Sequence, residues 1–210
     1  MAEYLYGRWA VLETLRAGRR RFEQLLLAEG IDEKGIVTEI VEAATARGIN
    51  TRRVPRRVID DLSKNANHQG VALRVGSYPY VALEDTLSAA RSRDERPFLL
   101  VLDLLKDPQN VGALLRVADA VGVHGVLLQE RRGVDVTPAV VNASSGAVEH
   151  LNVAVVTNLV TAMRSLKEEG VWLVGLDIGP DTATLDQIDL NMPVALVHGP
   201  FHPVDYSNGD

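Results

Sequence analysis

The sequence contains no cysteine, which excludes a disulfide framework, a cysteine-ligated zinc site and a thiol nucleophile. Aromatic residues are also scarce, at 5% of the chain, so any core must be built from Leu, Val, Ala and Ile. No apolar run reaches the roughly 18 residues of a membrane span, because Asp103 interrupts the longest candidate, residues 98–105. The segment from Met1 to Tyr4 lacks the basic region and apolar stretch of a signal peptide. We therefore expect a soluble, cytoplasmic protein.

Common catalytic motifs are missing as well. The sequence has no dinucleotide-binding glycine loop, no P-loop, no nucleophile elbow and no HExxH metalloprotease motif. His198 and His202 have the spacing of metal ligands on a helix, but Gly199 and the neighbouring prolines rule that helix out. The isolated His124 and His150 are interpreted as structural. We expect no metal site.

The net charge of −6 conceals an asymmetry between the two parts of the chain. Residues 1–76 carry a net charge of +3, whereas residues 77–210 carry −9. The arginines of the first part form two clusters: Arg16, Arg19, Arg20 and Arg21, then Arg47, Arg52, Arg53, Arg56 and Arg57. This pattern fits a basic domain that faces a polyanion, but it also fits two solvated arginine-rich surfaces.

The hydrophobic pattern predicts two α/β domains joined by a linker. Residues 1–76 alternate short helices and strands, which indicates a small α/β unit. Residues 77–97 are interpreted as a linker with a short helix around 83–90. Residues 98–199 alternate apolar strands with helices, which predicts a parallel sheet with helices on both faces. Residues 200–210 are interpreted as a disordered or unrelated tail.

Ligands of such sheets bind at the carboxyl ends of the strands. In this sequence those ends are followed by the loops at residues 103–110, 129–136, 175–179 and 198–199. These loops are the predicted position of a ligand site.

The first of these loops leads into a helix with an unusual beginning. Asp107 is a good N-cap and Pro108 suits the first helical position. Gly112 then costs about 1 kcal/mol relative to Ala inside the first turns, so we expect a close approach of another group there.

Two polar side chains of the same helix are candidate site residues. Asn110 stands at the mouth of the helix, where an amide can orient a ribose hydroxyl or a phosphate. Arg116 is a long cation that can reach an anion. The alternative for Arg116 is an ion pair with Asp119 on the same helix, worth a few tenths of a kcal/mol.

The strand at 98–102 followed by residues 107–122 resembles the first motif of the SpoU/TrmH-type RNA ribose 2′-O-methyltransferases. That motif has the core Asn-x-Gly-x-x-x-Arg, here Asn110, Gly112 and Arg116. Residues 6–13 resemble the beginning of the family's substrate-binding domain, and residues 67–71, Asn-His-Gln-Gly-Val, resemble its end. Residues 147–151 and 157–159 also resemble the family, so the likeness covers nearly the whole chain.

The resemblance implies a ribosomal-protein-like RNA-binding domain followed by a knotted α/β (SPOUT) methylase domain that forms homodimers. It implies methyl transfer from S-adenosylmethionine to a ribose 2′-hydroxyl of RNA. The closest resemblance is to enzymes that methylate a guanosine of 23S ribosomal RNA. Arg116 would bind the target phosphate or ribose and help the 2′-oxygen lose its proton, and Asn110 would position the same nucleotide.

The resemblance also implies the other site residues. The cofactor would contact Gly175, Leu176, Val197, His198 and Gly199. The RNA would contact Arg8, Arg19, Arg20, Arg21, His68 and Gln69. For His68 and Gln69, a polar turn before a strand is an equally good interpretation.

The sequence departs from the family after Gly199. The family continues with a Gly-x-Glu-x-x-Gly loop, another strand and a Ser-Leu-Asn helix, whereas residues 200–210 match none of these. The methylase domain is therefore interpreted as truncated and the knot segment as missing. We expect these 210 residues to bind S-adenosylmethionine weakly or not at all and to transfer no methyl group. The alternative is a non-catalytic RNA-binding protein derived from the family, but the presence of Asn110, Gly112 and Arg116 favours the enzyme.

Overall fold

The computed structural model describes residues 2–130, 133–176 and 183–199. The strands in this part of the chain are β1 (Glu3–Tyr6), β2 (Phe22–Ala28), β3 (Asn50–Val54), β4 (Val71–Val75), β5 (Phe98–Leu102), β6 (Gly125–Gln129), β7 (Val153–Val156), β8 (Trp172–Gly175) and β9 (Val194–His198). The helices are α1 (Arg8–Ala17), α2 (Ile36–Ala46), α3 (Arg56–Leu62), α4 (Leu83–Ser92), α5 (Pro108–Ala120), α6 (Pro138–Ala143) and α7 (Leu159–Glu168). Short 3₁₀ helices occupy Ala147–His150 and Leu185–Gln187.

The chain forms two compact units, and each is assembled from segments that are not contiguous in the sequence. The first unit comprises Met1–Pro79, Asp107–Asp119 and Val136–His150. The second comprises Tyr80–Lys106, Ala120–Asp135 and Leu151–Asp210. Most of α5, all of α6 and the following 3₁₀ helix therefore cluster with the amino-terminal sheet.

The first unit contains a four-stranded sheet in the order β1-β4-β2-β3. The pairs β1–β4 and β2–β4 are antiparallel, whereas β2 and the edge strand β3 are parallel. Helix α3 packs on one face of this sheet, where Ile59 joins a buried cluster with Leu26, Ala28, Val54 and Ala72. Leu25, Leu27, Val71 and Leu73 alternate with these residues along their strands, so they form the opposite, equally buried face.

The later segments of the first unit attach through specific contacts. Helix α6 begins at Thr137, whose hydroxyl accepts a hydrogen bond from the Val140 amide at 3.4 Å, and Pro138 follows at the first helical position. The side-chain amide of Asn142 donates to the carbonyl of Tyr6 at 3.0 Å. This contact fixes α6 beside β1.

The second unit contains a five-stranded sheet in the order β7-β6-β5-β9-β8, and all its pairs are parallel. Its core combines Val101, Leu127 and Val197 of the strands with Leu87 of α4 and Leu166 of α7. From β5 the chain proceeds to β6 and β7 on one side, and β8 and β9 lie on the other side. The topological switch point therefore lies between β5 and β9, which is where open parallel sheets bind ligands.

The predicted α/β fold class with a parallel sheet is confirmed, and so are the short helix within 77–97 and the strand at 98–102. Strand β1 was not predicted, because this four-residue strand is stabilised by its antiparallel partner β4, about 70 residues away. The predicted tail at 200–210 lies outside the described residues, and so does part of the predicted loop at 175–179. No helix in the described part of the chain is long and apolar enough to cross a lipid bilayer.

Candidate functional site

The carboxyl edge of the second sheet brings the five predicted cofactor residues together. At the switch point, the Asp103 amide after β5 donates to the His198 carbonyl at the end of β9, at 2.9 Å. On the other side of β9, the Leu176 amide donates to the Val197 carbonyl at 3.0 Å. Gly175 and Leu176 are exposed, whereas Val197 is buried. Strands β8 and β9 therefore end side by side and present these residues at one edge.

Gly199 is required by this geometry. A Cβ atom at this position would lie 2.4 Å from the Asp103 carbonyl oxygen and 2.8 Å from the Asp103 Cβ. Real Cβ atoms do not approach so closely, so any larger residue would separate the ends of β5 and β9. Glycine keeps the backbone accessible at the switch point.

His198 carries a buried polar atom without a protein partner. Its Nδ1 atom is shielded from solvent and makes no hydrogen bond within the described part of the chain. Buried polar atoms are nearly always hydrogen-bonded, and the exceptions often mark a site for a ligand or ion. The Nδ1 atom of His198 therefore has hydrogen-bonding capacity that no described residue uses.

Helix α5 begins as the sequence predicts. The Asp107 carboxylate accepts a hydrogen bond from the Gln109 amide at 3.0 Å, and the Asp107 carbonyl accepts from the Val111 amide at 3.0 Å. Gly112 is buried against the end of α6, where an added Cβ would lie 2.4 Å from the Ala143 Cβ and 2.8 Å from the Ser144 nitrogen. The close approach predicted at Gly112 is thus a contact between α5 and α6.

Asn110 and Arg116 both lie on the exposed side of α5. The alternative ion pair between Arg116 and Asp119 is not formed, although both residues belong to the described part of the chain. Arg116 thus has no carboxylate partner among the described residues and extends into solvent. Helix α5, which carries Arg116, is fixed by the packing of Gly112 against α6.

Arg8 and Gln69 are brought together by the turn that precedes β4. The Gln69 side-chain oxygen accepts a hydrogen bond from the Arg8 backbone amide at 2.9 Å, and the Arg8 Nε donates to the Gln69 carbonyl at 3.3 Å. Gln69 therefore caps the beginning of α1 as well as orienting the Arg8 guanidinium.

His68 is held within the protein, which favours the interpretation as a polar turn before β4 over contact with RNA. Its side chain is only 2% exposed. The Nδ1 atom accepts from the Gly70 amide at 3.0 Å, so the proton belongs on Nε2, which donates to the Asp60 carboxylate at 2.8 Å. Both ring nitrogens are thereby used within the protein. His124, which was predicted to be structural, has the same arrangement with the Phe98 amide and the Glu95 carboxylate.

The three consecutive arginines predicted to contact RNA have different environments. Arg21 is exposed. Arg19 donates to the Glu149 carbonyl at 3.4 Å and lies 5.8 Å from the centre of the Tyr78 ring. The Arg20 side chain is buried and paired with Glu3 and Glu149. Carboxylates of the protein already bind the Arg20 guanidinium, which argues against the predicted contact of Arg20 with RNA.

The arginines of β3 and α3 were not among the predicted site residues. The structure leaves Arg52, Arg56 and Arg57 exposed. Five arginines and no acidic residue within 47–59 were the signal that could have identified them.

Comparison with known families covers nearly all of the chain. Residues 97–200 match the model of the SpoU rRNA Methylase family. Residues 4–81 match the model for RNA 2′-O ribose methyltransferase substrate binding. YacO of Bacillus subtilis (strain 168), named as a member of the TrmH family of tRNA/rRNA methyltransferases, is 42% identical over 94% of this chain and 78% of its own length. The chain belongs to the SpoU/TrmH family of RNA methyltransferases.

Other members of the SpoU/TrmH family are similar in sequence or structure. A relative from Staphylococcus saprophyticus is 36% identical, and the chain spans 77% of its length, whereas it spans 51% of a 36% identical relative from Synechocystis. The crystal structure of an RNA 2′-O ribose methyltransferase matches 95% of this chain and covers 71% of that protein, with 26% identity and a TM-score of 0.70. An AdoMet-bound rRNA methyltransferase from Sinorhizobium meliloti, at 24% identity and a TM-score of 0.69, shares the fold over 93% of this chain and 69% of its own.

Proposed function

We propose that this protein transfers a methyl group from S-adenosylmethionine to the ribose 2′-hydroxyl of a guanosine in large-subunit ribosomal RNA. This proposal sets aside the expectation that these 210 residues transfer no methyl group, because that expectation rests on residues 200–210, which lie outside the described part of the chain. Membership of the SpoU/TrmH family supports the reaction and the cofactor. The observation that carries the proposal for this chain is the exposed Arg116, which has no ion-pair partner among the described residues and lies on a helix with the family's motif. The ribosomal substrate would locate the reaction in the cytoplasm.

The residues at the carboxyl edge of the second sheet fit the cofactor. The buried Nδ1 atom of His198 offers a hydrogen bond that no described residue uses, and Gly199 keeps the backbone approachable. The exposed Leu176 offers apolar surface to an adenine ring. The cofactor would supply an electrophilic methyl group on a sulfonium, and Gly175, Leu176, Val197, His198 and Gly199 would hold it.

Arg116 and Asn110 would act on the target nucleotide. During transfer the 2′-oxygen gains the methyl group and loses its proton to water, while the sulfonium would become a neutral thioether. A fixed positive charge beside the 2′-oxygen lowers the free energy of the developing oxyanion. A guanidinium without a carboxylate partner can provide that charge and can also bind the adjacent phosphate. Asn110 would orient the same ribose through its amide.

A second copy of the chain is the proposed protein partner. Val117 of α5 is 58% exposed although it is apolar. A homodimer would remove this apolar surface from water. Analytical ultracentrifugation tests this: Val117→Asp should shift the chain to monomer, and a monomeric wild type would contradict it.

The reaction is tested with transcribed, unmodified 23S ribosomal RNA and a matched sample of unmodified transfer RNA. Each is incubated with the full chain and isotopically labelled S-adenosylmethionine, then digested to nucleosides and analysed by mass spectrometry. Label in 2′-O-methylguanosine from ribosomal RNA is the expected result.

Each other outcome has a distinct meaning. Label only in transfer RNA would retain the reaction and overturn the ribosomal substrate. Label in a base would overturn ribose methylation. RNA binding without any transfer would overturn the proposed activity, and it would fit both a truncated enzyme and the non-catalytic RNA-binding protein.

A further inference from the structure

The outer edge of the first sheet carries the largest concentration of positive charge in the sequence. Residues 47–59 contain five arginines and no acidic residue, although the whole chain is acidic. These arginines lie at the end of α2, on β3 and on the first turn of α3, and all five are exposed. The group consists of Arg47, Arg52, Arg53, Arg56 and Arg57.

The register of the strands shows which way the arginines of β3 face. Arg52 is paired with Leu26 and Val54 with Ala28 in the parallel ladder between β2 and β3. Leu26, Ala28 and Val54 all lie in the cluster under α3, so Arg52 shares that face of the sheet. The start of α3, with Arg56 and Arg57, follows β3 after Pro55 alone. Arg53 is directed to the opposite face.

Several neighbouring arginines already contact carboxylates or an aromatic ring of the protein. Arg53 is paired with Glu33, and Arg74 of β4 is paired with Glu23 at 3.0 Å. The Arg47 guanidinium lies 6.0 Å from the centre of the Phe22 ring. In contrast, Arg52, Arg56 and Arg57 form no ion pair with any described residue. We call these three residues the β3 edge.

We propose that the β3 edge is the surface that binds the phosphate backbone of the RNA substrate. Three exposed guanidiniums without carboxylate partners complement a polyanion, and an Arg fork binds phosphate oxygens in a bidentate manner. The partner is taken to be RNA because of the proposed function. The β3 edge thereby supplies the phosphate contact that the buried Arg20 cannot provide.

A purely structural explanation of the same arginines exists. β3 is an edge strand, and charged side chains on edge strands prevent pairing with other molecules. That explanation predicts that loss of the arginines causes aggregation and leaves RNA affinity unchanged. The proposal predicts that the same loss weakens RNA binding and causes no aggregation.

The test compares two variants that lose the same charge. Arg52→Ala/Arg57→Ala alters the β3 edge, and Arg93→Ala/Arg164→Ala removes two exposed arginines of the second unit that have no ion pair among the described residues. Arg52→Lys/Arg57→Lys retains the charge. The dissociation constant for fluorescently labelled fragments of transcribed 23S ribosomal RNA is measured with the full chain at several salt concentrations. Light scattering reports aggregation.

The β3-edge variant should bind roughly 10- to 30-fold more weakly at 0.1 M salt. Each phosphate contact contributes about 0.7–0.9 to the slope of log K against log salt, so the slope should fall by about 1.5. The lysine variant should retain most of the affinity, and the control variant should bind within about twofold of wild type.

Equal affinity of the β3-edge variant and wild type would overturn the proposal and leave the proposed function standing. An equal loss in the control variant would overturn it too, because the effect would then reflect overall charge. A wild-type chain that fails to bind ribosomal RNA would instead overturn the proposed function.

Discussion

Arg20 and Glu149 form a buried ion pair between residues 129 positions apart in the sequence. The Arg20 Nε lies 3.0 Å from both carboxylate oxygens of Glu149, and the Nη2 lies 2.7 Å from Oε1. The Arg20 Nη1 also donates to Glu3 and, at 3.2 Å, to the carbonyl of Gly76. The Tyr78 ring centre is 5.1 Å from the guanidinium carbon. Arg20 thereby connects β1, the end of β4 and the 3₁₀ helix Ala147–His150 within the first unit.

The environment keeps Arg20 charged. Burial by itself lowers the pKa of the guanidinium, but the hydrogen bonds and negative charges of Glu149 and Glu3 raise it above its ordinary value. A permanently charged group inside the protein depends on its partners, since removal of one leaves an uncompensated charge.

Replacement of either partner should therefore destabilise the first unit strongly. Arg20→Met should lower the free energy of unfolding by about 3–5 kcal/mol, because it leaves the buried Glu149 carboxylate unpaired. Glu149→Leu should cost somewhat less, because Glu3 remains as a partner of Arg20. The double variant should lose less than the sum of the two. Urea unfolding checks this, with Arg21→Met as an exposed control expected to change stability by at most about 0.5 kcal/mol. Additive losses in the double variant would contradict the pairing.

The sequence could not distinguish Arg20 from Arg21. Both lie in one arginine cluster, and the difference depends on Glu149, whose position is set by packing of the 3₁₀ helix after α6. Local patterns were sufficient for the start of α5 at Asp107 and Pro108, because capping is a property of adjacent residues. Local patterns could not identify the partner of Gly112. The glycine indicates that another group comes close, but only the tertiary structure shows that this group is α6.

His68 gives a prediction that separates stability from RNA binding. His68→Ala should lower the free energy of unfolding by about 1–3 kcal/mol, because Asp60 and the Gly70 amide both lose their hydrogen-bond partner. RNA affinity of the folded variant should remain within about twofold of wild type. Asn67→Ala, at the adjacent exposed position, serves as the control. A tenfold loss of RNA affinity at unchanged stability would show that His68 contacts RNA after all.

Gly112→Ala tests the contact between α5 and α6. Alanine would improve helix propensity by about 1 kcal/mol, but its Cβ would overlap Ala143 and the Ser144 backbone. We expect a net destabilisation of about 1–3 kcal/mol, measured by thermal or urea unfolding. At the neighbouring exposed position, Ala113→Gly should cost about 1 kcal/mol from propensity alone. A stabilised Gly112→Ala variant would contradict the packing.

Replacement of His198 should affect protein stability differently from replacement of the hydrogen-bonded His124. Because the Nδ1 atom of His198 has no partner among the described residues, His198→Leu should leave stability unchanged or raise it by up to about 1 kcal/mol. Its affinity for S-adenosylmethionine, measured by calorimetry, should fall at least fivefold. His124→Leu should lose about 1–3 kcal/mol of stability. Unchanged cofactor affinity of His198→Leu would remove this residue from the cofactor site.

The role of Arg116 is the central claim about the reaction, and methyl transfer to transcribed 23S ribosomal RNA tests it most directly. Wild type, Arg116→Ala and the control Arg164→Ala are compared at equal concentrations, with 2′-O-methylguanosine quantified by mass spectrometry. The proposal predicts product with wild type and the control, and at least a hundredfold less, about 2.7 kcal/mol of transition-state stabilisation, with Arg116→Ala. Cofactor affinity of Arg116→Ala should equal that of wild type. Equal product from wild type and Arg116→Ala would contradict the proposed role.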